Sequence, residues 1–291
     1  MLCLCRSGRN GFAAALGFAV SACGPFAGGA PAAPSAIGQP ATAHIVFEDD
    51  FNGSRLDKKI WFWCYPNESP DNCTNNQHGI PYREREQYRP SQLIVGEGAL
   101  HLVAVRHSVK PHFPWTSGMV TTGGPFENGP PHPTFAFTDG YAEIRAKLPA
   151  GRGFWPAFWL LPASGAWPPE IDVMEWQGAQ PRRDYMTFHF STPHEKNDSI
   201  QGTFDGPNFS AGYHVFAIDR ESSTLTWYVD GVARLAVTAK EIEARGGTFP
   251  RIPMYVLINL AVGGWVSPPN RRTPSPAAMT IDYIRVWDRR P

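Results

Sequence analysis

Short runs of β-branched and aromatic residues recur along the chain, and Gly, Pro and Asn separate them. Such runs are typical of β-strands bounded by turns. The clearest predicted strands cover residues 99–105, 141–147, 186–190, 225–229 and 280–287. Only residues 237–245 have a pattern that favours a helix, and that segment is short. Many short strands with almost no helix predict a two-sheet antiparallel β-sandwich.

Three acidic residues lie on one short, otherwise apolar run, because residues 170–175 read Glu-Ile-Asp-Val-Met-Glu. Burying carboxylates is costly, so an apolar strand rarely carries three of them without a chemical reason. Glu170 and Asp172 share one face of a strand, whereas Glu175 would point to the other face. A β-bulge at residues 173–174 would turn Glu175 to the same face as Glu170 and Asp172. The three carboxylates would then enter one cleft, and two carboxyls about 5–5.5 Å apart are what a retaining glycosidase needs.

The alternative is that these acids form the solvated face of an ordinary sheet, which is the commoner origin of such a pattern. The residues between the acids argue against it, since Ile171, Val173 and Met174 suit a strand with one packed face. The preceding segment 153–162 reads Gly-Phe-Trp-Pro-Ala-Phe-Trp-Leu-Leu-Pro, and its aromatic side chains could line a sugar cleft.

These two segments together resemble glycoside hydrolase family 16, which includes laminarinases, lichenases, agarases and carrageenases. The carboxylate signature with the extra residue is typical of the laminarinase-like branch. Further blocks in the same order extend the resemblance over most of the chain: 47–57 with Trp61, 117–122, 140–149, 227–231, 260–264 and 281–287.

The resemblance implies a concanavalin-like jelly roll with a concave carbohydrate cleft and retaining hydrolysis of a β-glycosidic bond. Glu170 would be the nucleophile, and Glu175 the general acid and then the general base. Asp172 would hydrogen-bond Glu170 and tune the shared charge. No cofactor is expected for catalysis.

Other residues are candidates for substrate contact. Trp155 and Trp159 have the same parity on a strand, and core packing is an equal alternative for Trp159. By resemblance, His189 matches a cleft histidine, with a purely structural role as the equal alternative. Glu84 matches the acid of the family's Asn-Asn-Glu-x-Gln block, in which Tyr82 and Arg83 here replace the two Asn. Trp265, which follows two glycines, is the last candidate. A structural calcium is also implied by resemblance, with oxygen ligands from Asp282, Glu48 and the Gly98 carbonyl.

The N-terminus has the pattern of an export signal. Arg6 and Arg9 precede an apolar run at 11–22 that is too short to span a bilayer, so we predict a signal peptide over residues 1–23. The run ends Val-Ser-Ala-Cys, which resembles a bacterial lipobox. Two interpretations stay open: lipidation of Cys23, which would anchor the protein to a membrane, or ordinary cleavage nearby without lipid.

Residues 24–42 are rich in Ala, Gly and Pro and predict a flexible tether, and residues 43–289 form the predicted catalytic domain. Cys64 and Cys73 are the two cysteines of that domain. In an exported chain they predict one disulfide, with two free thiols as the alternative.

The charges are balanced, with 26 Lys plus Arg and 26 Asp plus Glu, which argues against a nucleic-acid partner. We therefore predict an exported, monomeric endo-β-glycosidase that is secreted, periplasmic or lipid-anchored. Its substrate would be a β-1,3- or β-1,3/1,4-linked glucan or a related bacterial exopolysaccharide. A transglycosylase with the same site and a non-catalytic carbohydrate-binding protein are the alternatives.

Overall fold

The computed structural model describes residues 42–66, 73, 83–108, 113–125 and 131–291. In chain order the strands are β1 Ile45–Asp49, β2 Arg83–Glu84, β3 Glu86–Tyr88, β4 Leu93–Gly96, β5 Ala99–Ala104, β6 Trp115–Ser117, β7 Met119–Thr121, β8 Gly140–Lys147, β9 Phe154–Pro162, β10 Glu170–Trp176, β11 Arg183–Phe190, β12 Asp198–Asp205, β13 His214–Arg220, β14 Thr224–Val229, β15 Val232–Thr238, β16 Met254–Gly264 and β17 Ala277–Trp287. A 3-10 turn covers Pro90–Gln92, and helix α1 covers Ala239–Ala244. The predicted signal peptide, Cys23 and nearly all of the tether lie outside the described residues.

Two antiparallel sheets make up the fold. The first has the order β15-β14-β13-β8-β17-β5-β4, with β1 beside β17, and the second has the order β12-β11-β10-β9-β16-β2, with β7 beside β16. Strands β3 and β6 form a small parallel pair. One apolar core contains side chains from both sheets, for example Ile144 and Ile284 from the first and Leu160 and Ile258 from the second. The predicted two-sheet sandwich is therefore confirmed.

The predicted helix is shorter than its sequence pattern suggests. Val237 and Thr238 still belong to β15, and α1 begins only at Ala239. Thr238 caps the helix, because its hydroxyl accepts a hydrogen bond from the Glu241 amide while the Glu241 carboxylate accepts one from the Thr238 amide. This capping box fixes the boundary between strand and helix. Within the described residues, no helix is long and apolar enough to cross a membrane.

Cys64 and Cys73 are bonded to each other, with their Cα atoms 5.6 Å apart, so the predicted disulfide is confirmed. Both half-cystines are buried. They belong to a second, smaller apolar cluster on the outer side of the second sheet, where Tyr65 packs edge-on against Tyr88 and Trp159. The disulfide thus ties the segment that carries Tyr65 to Cys73, whose main-chain oxygen accepts a hydrogen bond from the Tyr88 amide on β3.

Candidate active site

Strand β10 lies between β9 and β11, and its pairing changes register in the middle. Asp172 of β10 pairs with Thr187 of β11, and Glu175 of β10 pairs with Tyr185 of β11. The two positions are three residues apart on β10 but only two apart on β11. Its pairing with β9 shifts between Asp172 and Met174. One extra residue is therefore inserted after Asp172, which confirms the predicted β-bulge.

The bulge sorts the side chains of β10 onto two faces. The apolar ones enter the core between the sheets: Ile171, Val173, Met174 and Trp176. Glu170, Asp172 and Glu175 lie on the opposite face, where their polar partners also lie. Without the extra residue, the period of two would have turned Glu175 into the core.

Glu170 accepts a hydrogen bond from Trp167, whose indole Nε1 lies 2.6 Å from Glu170 Oε2. Trp167 is 46% exposed, so much of its ring remains in solvent beside the carboxylate. The sequence pattern did not indicate Trp167 as a site residue, because a loop residue three positions before a strand has no predictable direction. An exposed indole at this place orients Glu170 and leaves an apolar ring face open beside the carboxylate.

Asp172 is buried and lies between Glu170 and His189. His189 stands opposite Glu170 on β11, and its Nε2 lies 3.1 Å from Asp172 Oδ2. The other ring nitrogen, Nδ1, lies 3.0 Å from Asn197 Oδ1. Burial, the charge of Glu170 and a hydrogen bond to Glu170 all raise the pKa of Asp172. Asp172 is therefore suited to hold a proton beside the Glu170 carboxyl group.

Glu175 has the environment of a carboxylic acid that keeps its proton. Burial raises its pKa well above the ordinary value, and the charges of Asp172 and Glu170 raise it further. Two neighbours oppose this shift: the Trp155 indole, whose Nε1 donates to Glu175 Oε1 at 3.0 Å, and His189. Burial and like charge prevail, so the group stays protonated to higher pH than a free glutamic acid.

Aromatic rings lie around the Glu175 end of the carboxylate row. The Trp265 ring lies 5.9 Å from that of Trp155 and 4.9 Å from that of Tyr185, measured between centroids. Gly264 has a φ of +73°, and a Cβ there would come within 2.7 Å of the Trp155 ring. Only glycine therefore allows the turn that brings Trp265 over Trp155. Tyr185 is a cleft residue that sequence patterns alone did not indicate.

Two predicted substrate residues are less accessible than expected. Trp159 is only 8% exposed, and its Nε1 donates to Asn259 Oδ1 at 2.8 Å, while the Asn259 amide donates to the Tyr88 hydroxyl. Trp159 therefore packs in the smaller cluster, although it shares a face with Trp155 as its parity predicts. Glu84 is also buried, at 4% exposure, and pairs with Gly263 across β2 and β16.

The carboxylates of the predicted calcium site face guanidinium groups. Asp282 Oδ2 accepts from Arg145 Nη1 at 2.6 Å, and Glu48 Oε2 lies 3.9 Å from Arg285 Nε. These cations balance the negative charge that a calcium ion would balance, so the arrangement does not fit an ion-filled site. Gly98 lies in the turn between β4 and β5. Calcium binding stays a prediction, because an ion would have to displace these guanidinium groups.

Among the described residues, one cluster of His, Cys, Asp or Glu side chains could hold a metal ion, because its ligand atoms all lie within 4.8 Å of one another. It consists of Glu170, Asp172 and His189. Asp172 lies within this group between Glu170, to which it hydrogen-bonds, and the His189 ring, whose Nε2 lies 3.1 Å from Asp172 Oδ2.

Comparison with known proteins places the chain in a family. Residues 101–285 match the glycosyl hydrolases family 16. The endo-1,3-1,4-beta-glycanase EglC of Rhizobium meliloti (strain 1021) is 31% identical over 258 residues, which are 83% of this chain and 51% of that protein. The beta-glucanase of Rhodothermus marinus is 31% identical over 262 residues, covering 84% of each chain.

Solved structures share the fold as well. The laminarinase catalytic domain from Thermotoga maritima MSB8 superposes with a TM-score of 0.72 at 31% identity, covering 86% of this chain and 100% of that one. The chain spans about half the length of the first two curated relatives that it matches. The family match covers more than half of the chain and agrees with the bulged carboxylate strand, so this chain belongs to the glycosyl hydrolases family 16.

Proposed function

We propose that the protein is a retaining endo-β-glucanase that hydrolyses β-1,3- or mixed β-1,3/1,4-linked glucan. The observation that supports this most directly is the β-bulge after Asp172, because it places Glu170, Asp172 and Glu175 on the same face of β10. Retaining glycosidases use one carboxylate as nucleophile and one carboxylic acid as proton donor. Glu170 and Glu175 have the two environments that these roles require.

In the first step Glu170 attacks the anomeric carbon, and the bond from that carbon to the leaving oxygen breaks. Glu175 gives its proton to that oxygen, so a glycosyl ester forms on Glu170 while Glu175 becomes a carboxylate. In the second step Glu175 takes a proton from water, and the hydroxide adds to the anomeric carbon as the ester bond to Glu170 breaks. Both carboxyls end in their starting states.

The neighbours of the two carboxyls support these roles. Trp167 donates to Glu170 Oε2, which directs the other oxygen toward the sugar. Burial and the neighbouring Glu170 raise the pKa of Asp172, which favours a proton shared within the carboxylate group. The raised pKa of Glu175 keeps the proton donor protonated to higher pH than a free glutamic acid would be.

The cleft has aromatic surfaces on both sides of the carboxylates. Trp167 lies at the Glu170 end, and Trp155, Trp265 and Tyr185 lie at the Glu175 end. Aromatic faces on both sides suit a chain that continues in both directions, which is what an endo-acting enzyme binds. The names of the relatives, an endo-1,3-1,4-beta-glycanase and a laminarinase, favour a β-1,3-containing glucan.

The cellular setting belongs to the same proposal. A signal peptide over residues 1–23 and the tether that follows would place the enzyme outside the cytoplasm, where polysaccharides occur. If Cys23 is lipidated, the protein will fractionate with membranes, and Cys23→Ser will release it or block its maturation. Equal solubility of the parent and the variant would favour ordinary secretion.

Glu170→Gln and Glu175→Gln test the chemical assignment. Each variant keeps the size and hydrogen-bonding capacity of the side chain, so we expect unchanged thermal unfolding and loss of turnover on laminarin and lichenan. Glu221→Gln, at an exposed position remote from the cleft strand, serves as the matched control. Activity within threefold of the parent in either cleft variant would refute the assignment. Agarose and succinoglycan complete the substrate panel, with product sizing to establish endo-cleavage.

Two other functions are separated by the same measurements. A transglycosylase would use the same carboxylates but yield products longer than the starting oligosaccharide. A non-catalytic binding protein would bind glucan without releasing reducing ends. The presence of both Glu170 and Glu175, with their different electrostatic environments, favours catalysis over binding alone.

A further inference from the structure

Trp227 makes a polar contact across the core of the sandwich. It lies on β14 in the first sheet, is fully buried, and belongs to the apolar core. Its indole Nε1 donates a hydrogen bond of 2.8 Å to the main-chain oxygen of Asp172 on β10 in the second sheet. Strands β14 and β10 are not neighbours in either sheet, so the donor reaches its acceptor from the opposite layer.

The accepting carbonyl belongs to the residue at which the bulge begins. The pairing of β10 with both neighbouring strands loses register directly after Asp172. A β-bulge disrupts the local ladder of hydrogen bonds, and a buried carbonyl left without a donor is destabilising. A core otherwise made of apolar side chains supplies that donor through Trp227. The bulge is therefore held in place from the core side of the sheet.

We propose that Trp227 is a positioning residue for the reaction, which fixes the β-bulge so that Asp172 and Glu175 share the cleft face. This inference rests on the proposed function. The two acids lie on either side of the extra residue, so their separation and direction depend on where the bulge is placed. If the carbonyl is released, the extra residue can shift along β10 and turn Glu175 away from the cleft.

The test compares two core tryptophans on facing sheets. Trp227→Phe removes the indole N–H and some volume. Trp176→Phe removes the same groups at another fully buried position, but the Trp176 Nε1 has no hydrogen-bond partner among the described residues. Cavity effects should thus be similar in the two variants. Only Trp227→Phe deprives the bulge of its donor.

We expect Trp227→Phe to lower kcat by about tenfold or more, since small displacements of reacting groups are costly in rate, with KM almost unchanged. The alkaline limb of its pH profile should also shift, because burial and neighbouring charges raise the pKa of Glu175 and both depend on where the bulge lies. The titratable groups around Glu175 are Asp172 and Glu170 on its own strand and His189 and Asp184 on β11, and Trp155 on β9 donates a hydrogen bond to it. Trp176→Phe should keep kcat and both limbs close to those of the parent.

If Trp227 only packs the core, both variants should lose the same amount of melting temperature and Trp227→Phe should keep the pH profile of the parent. That result would overturn the proposal. If Trp227→Phe fails to fold, replacement of Trp227 by benzothienylalanine keeps the shape of the ring system without the N–H and gives the same comparison. Loss of kcat in this near-isosteric variant supports the proposal, and full activity overturns it.

A readout that needs no substrate separates this inference from the proposed function. In the parent protein, hydrogen–deuterium exchange of the Trp227 indole N–H should be strongly slowed, unlike that of the exposed Trp167. Fast exchange at Trp227 would show that the hydrogen bond is absent, which would overturn the inference even if the enzyme is active. If exchange is slow but the protein cleaves no glucan, the contact with the bulge is present and the proposed function is wrong.

Discussion

Replacing Trp155 with Phe should raise the pH at which activity is lost on the alkaline side. The Trp155 indole Nε1 lies 3.0 Å from Glu175 Oε1 and donates to it. A donor N–H favours the ionised carboxylate, so it lowers the pKa of Glu175 against the larger effect of burial. Removing the donor raises the pKa further. A general acid that keeps its proton to higher pH stays active to higher pH.

The size of the shift follows from the strength of one hydrogen bond to a charged group. Such a bond contributes about 1.5–3 kcal/mol, and one pKa unit corresponds to about 1.4 kcal/mol. A fully buried bond would therefore give about 1–2 units. Trp155 and Glu175 are only partly buried, and solvent weakens the contact. We expect the alkaline limb to move up by about half a unit to one unit.

The assay is the pH dependence of kcat/KM on laminarin, followed by release of reducing ends. Trp265→Phe is the matched control, because Trp265 packs against Trp155 but makes no hydrogen bond to Glu175 in the described structure. Its alkaline limb should coincide with that of the parent. An alkaline limb of Trp155→Phe that stays in place or moves to lower pH would refute the assignment of Glu175 as the acid.

Three further predictions concern stability. Burial raises the pKa of Asp184, which lies fully buried opposite Trp176, so the folded protein keeps a proton that the unfolded chain releases above about pH 4. The stability that Asp184 contributes is complete below that pH and is lost as the pH rises through the raised pKa of the folded state. Asp184→Asn should therefore raise the melting temperature more at pH 7 than at pH 4. An equal change at both pH values would contradict this. Replacing both Cys64 and Cys73 by Ser should lower the free energy of unfolding by roughly 2–3 kcal/mol, as expected for a short closed loop, measured by denaturant titration; a change below about 0.5 kcal/mol would show that the cross-link does not stabilise the fold. A calcium ion at Asp282 would have to displace Arg145, so we expect added calcium and a chelator each to leave the melting temperature unchanged; a rise with calcium would show that the ion takes the place of Arg145.

The arrangement of the β10 carboxylates could be predicted because parity, together with the need for facing carboxyls, requires one extra residue. Glu170 and Asp172 are two residues apart and Glu175 is five from Glu170, so one extra residue was needed to bring them to one face. The buried Val173 and Met174 are the apolar pair across which the register shifts. The spacing of the acids and of the apolar residues therefore indicated where on β10 the bulge lies.

Contacts that depend on the direction of loops or on the opposite sheet could not be predicted. Trp167 precedes β10 in a loop, and its hydrogen bond to Glu170 depends on the path of that loop. The contact of Trp227 with the Asp172 carbonyl joins positions 55 residues apart, and no local pattern encodes it. For Trp159, parity gave the correct face, but the cover that Tyr65 provides comes from a distant segment.

The same limit applies to the predicted calcium ligands. Asp282 and Glu48 are acids on strands β17 and β1, as the resemblance implied, but the sequence did not show which cations would face them. Arg145 reaches Asp282 from the neighbouring strand β8, and Arg285 lies opposite Glu48 across the β1–β17 pairing. Cross-strand charge pairs depend on register, which is known only once the sheet is formed.

The stereochemistry of the first product tests the central claim most directly. Proton NMR of laminarin digestion should show the new reducing end as the β-anomer in the earliest spectra, before mutarotation produces the α-anomer. Retention requires two displacements at the anomeric carbon, the first of them by Glu170. An α-anomer as the first product would mean a single displacement by water, and Glu170 could not be the nucleophile.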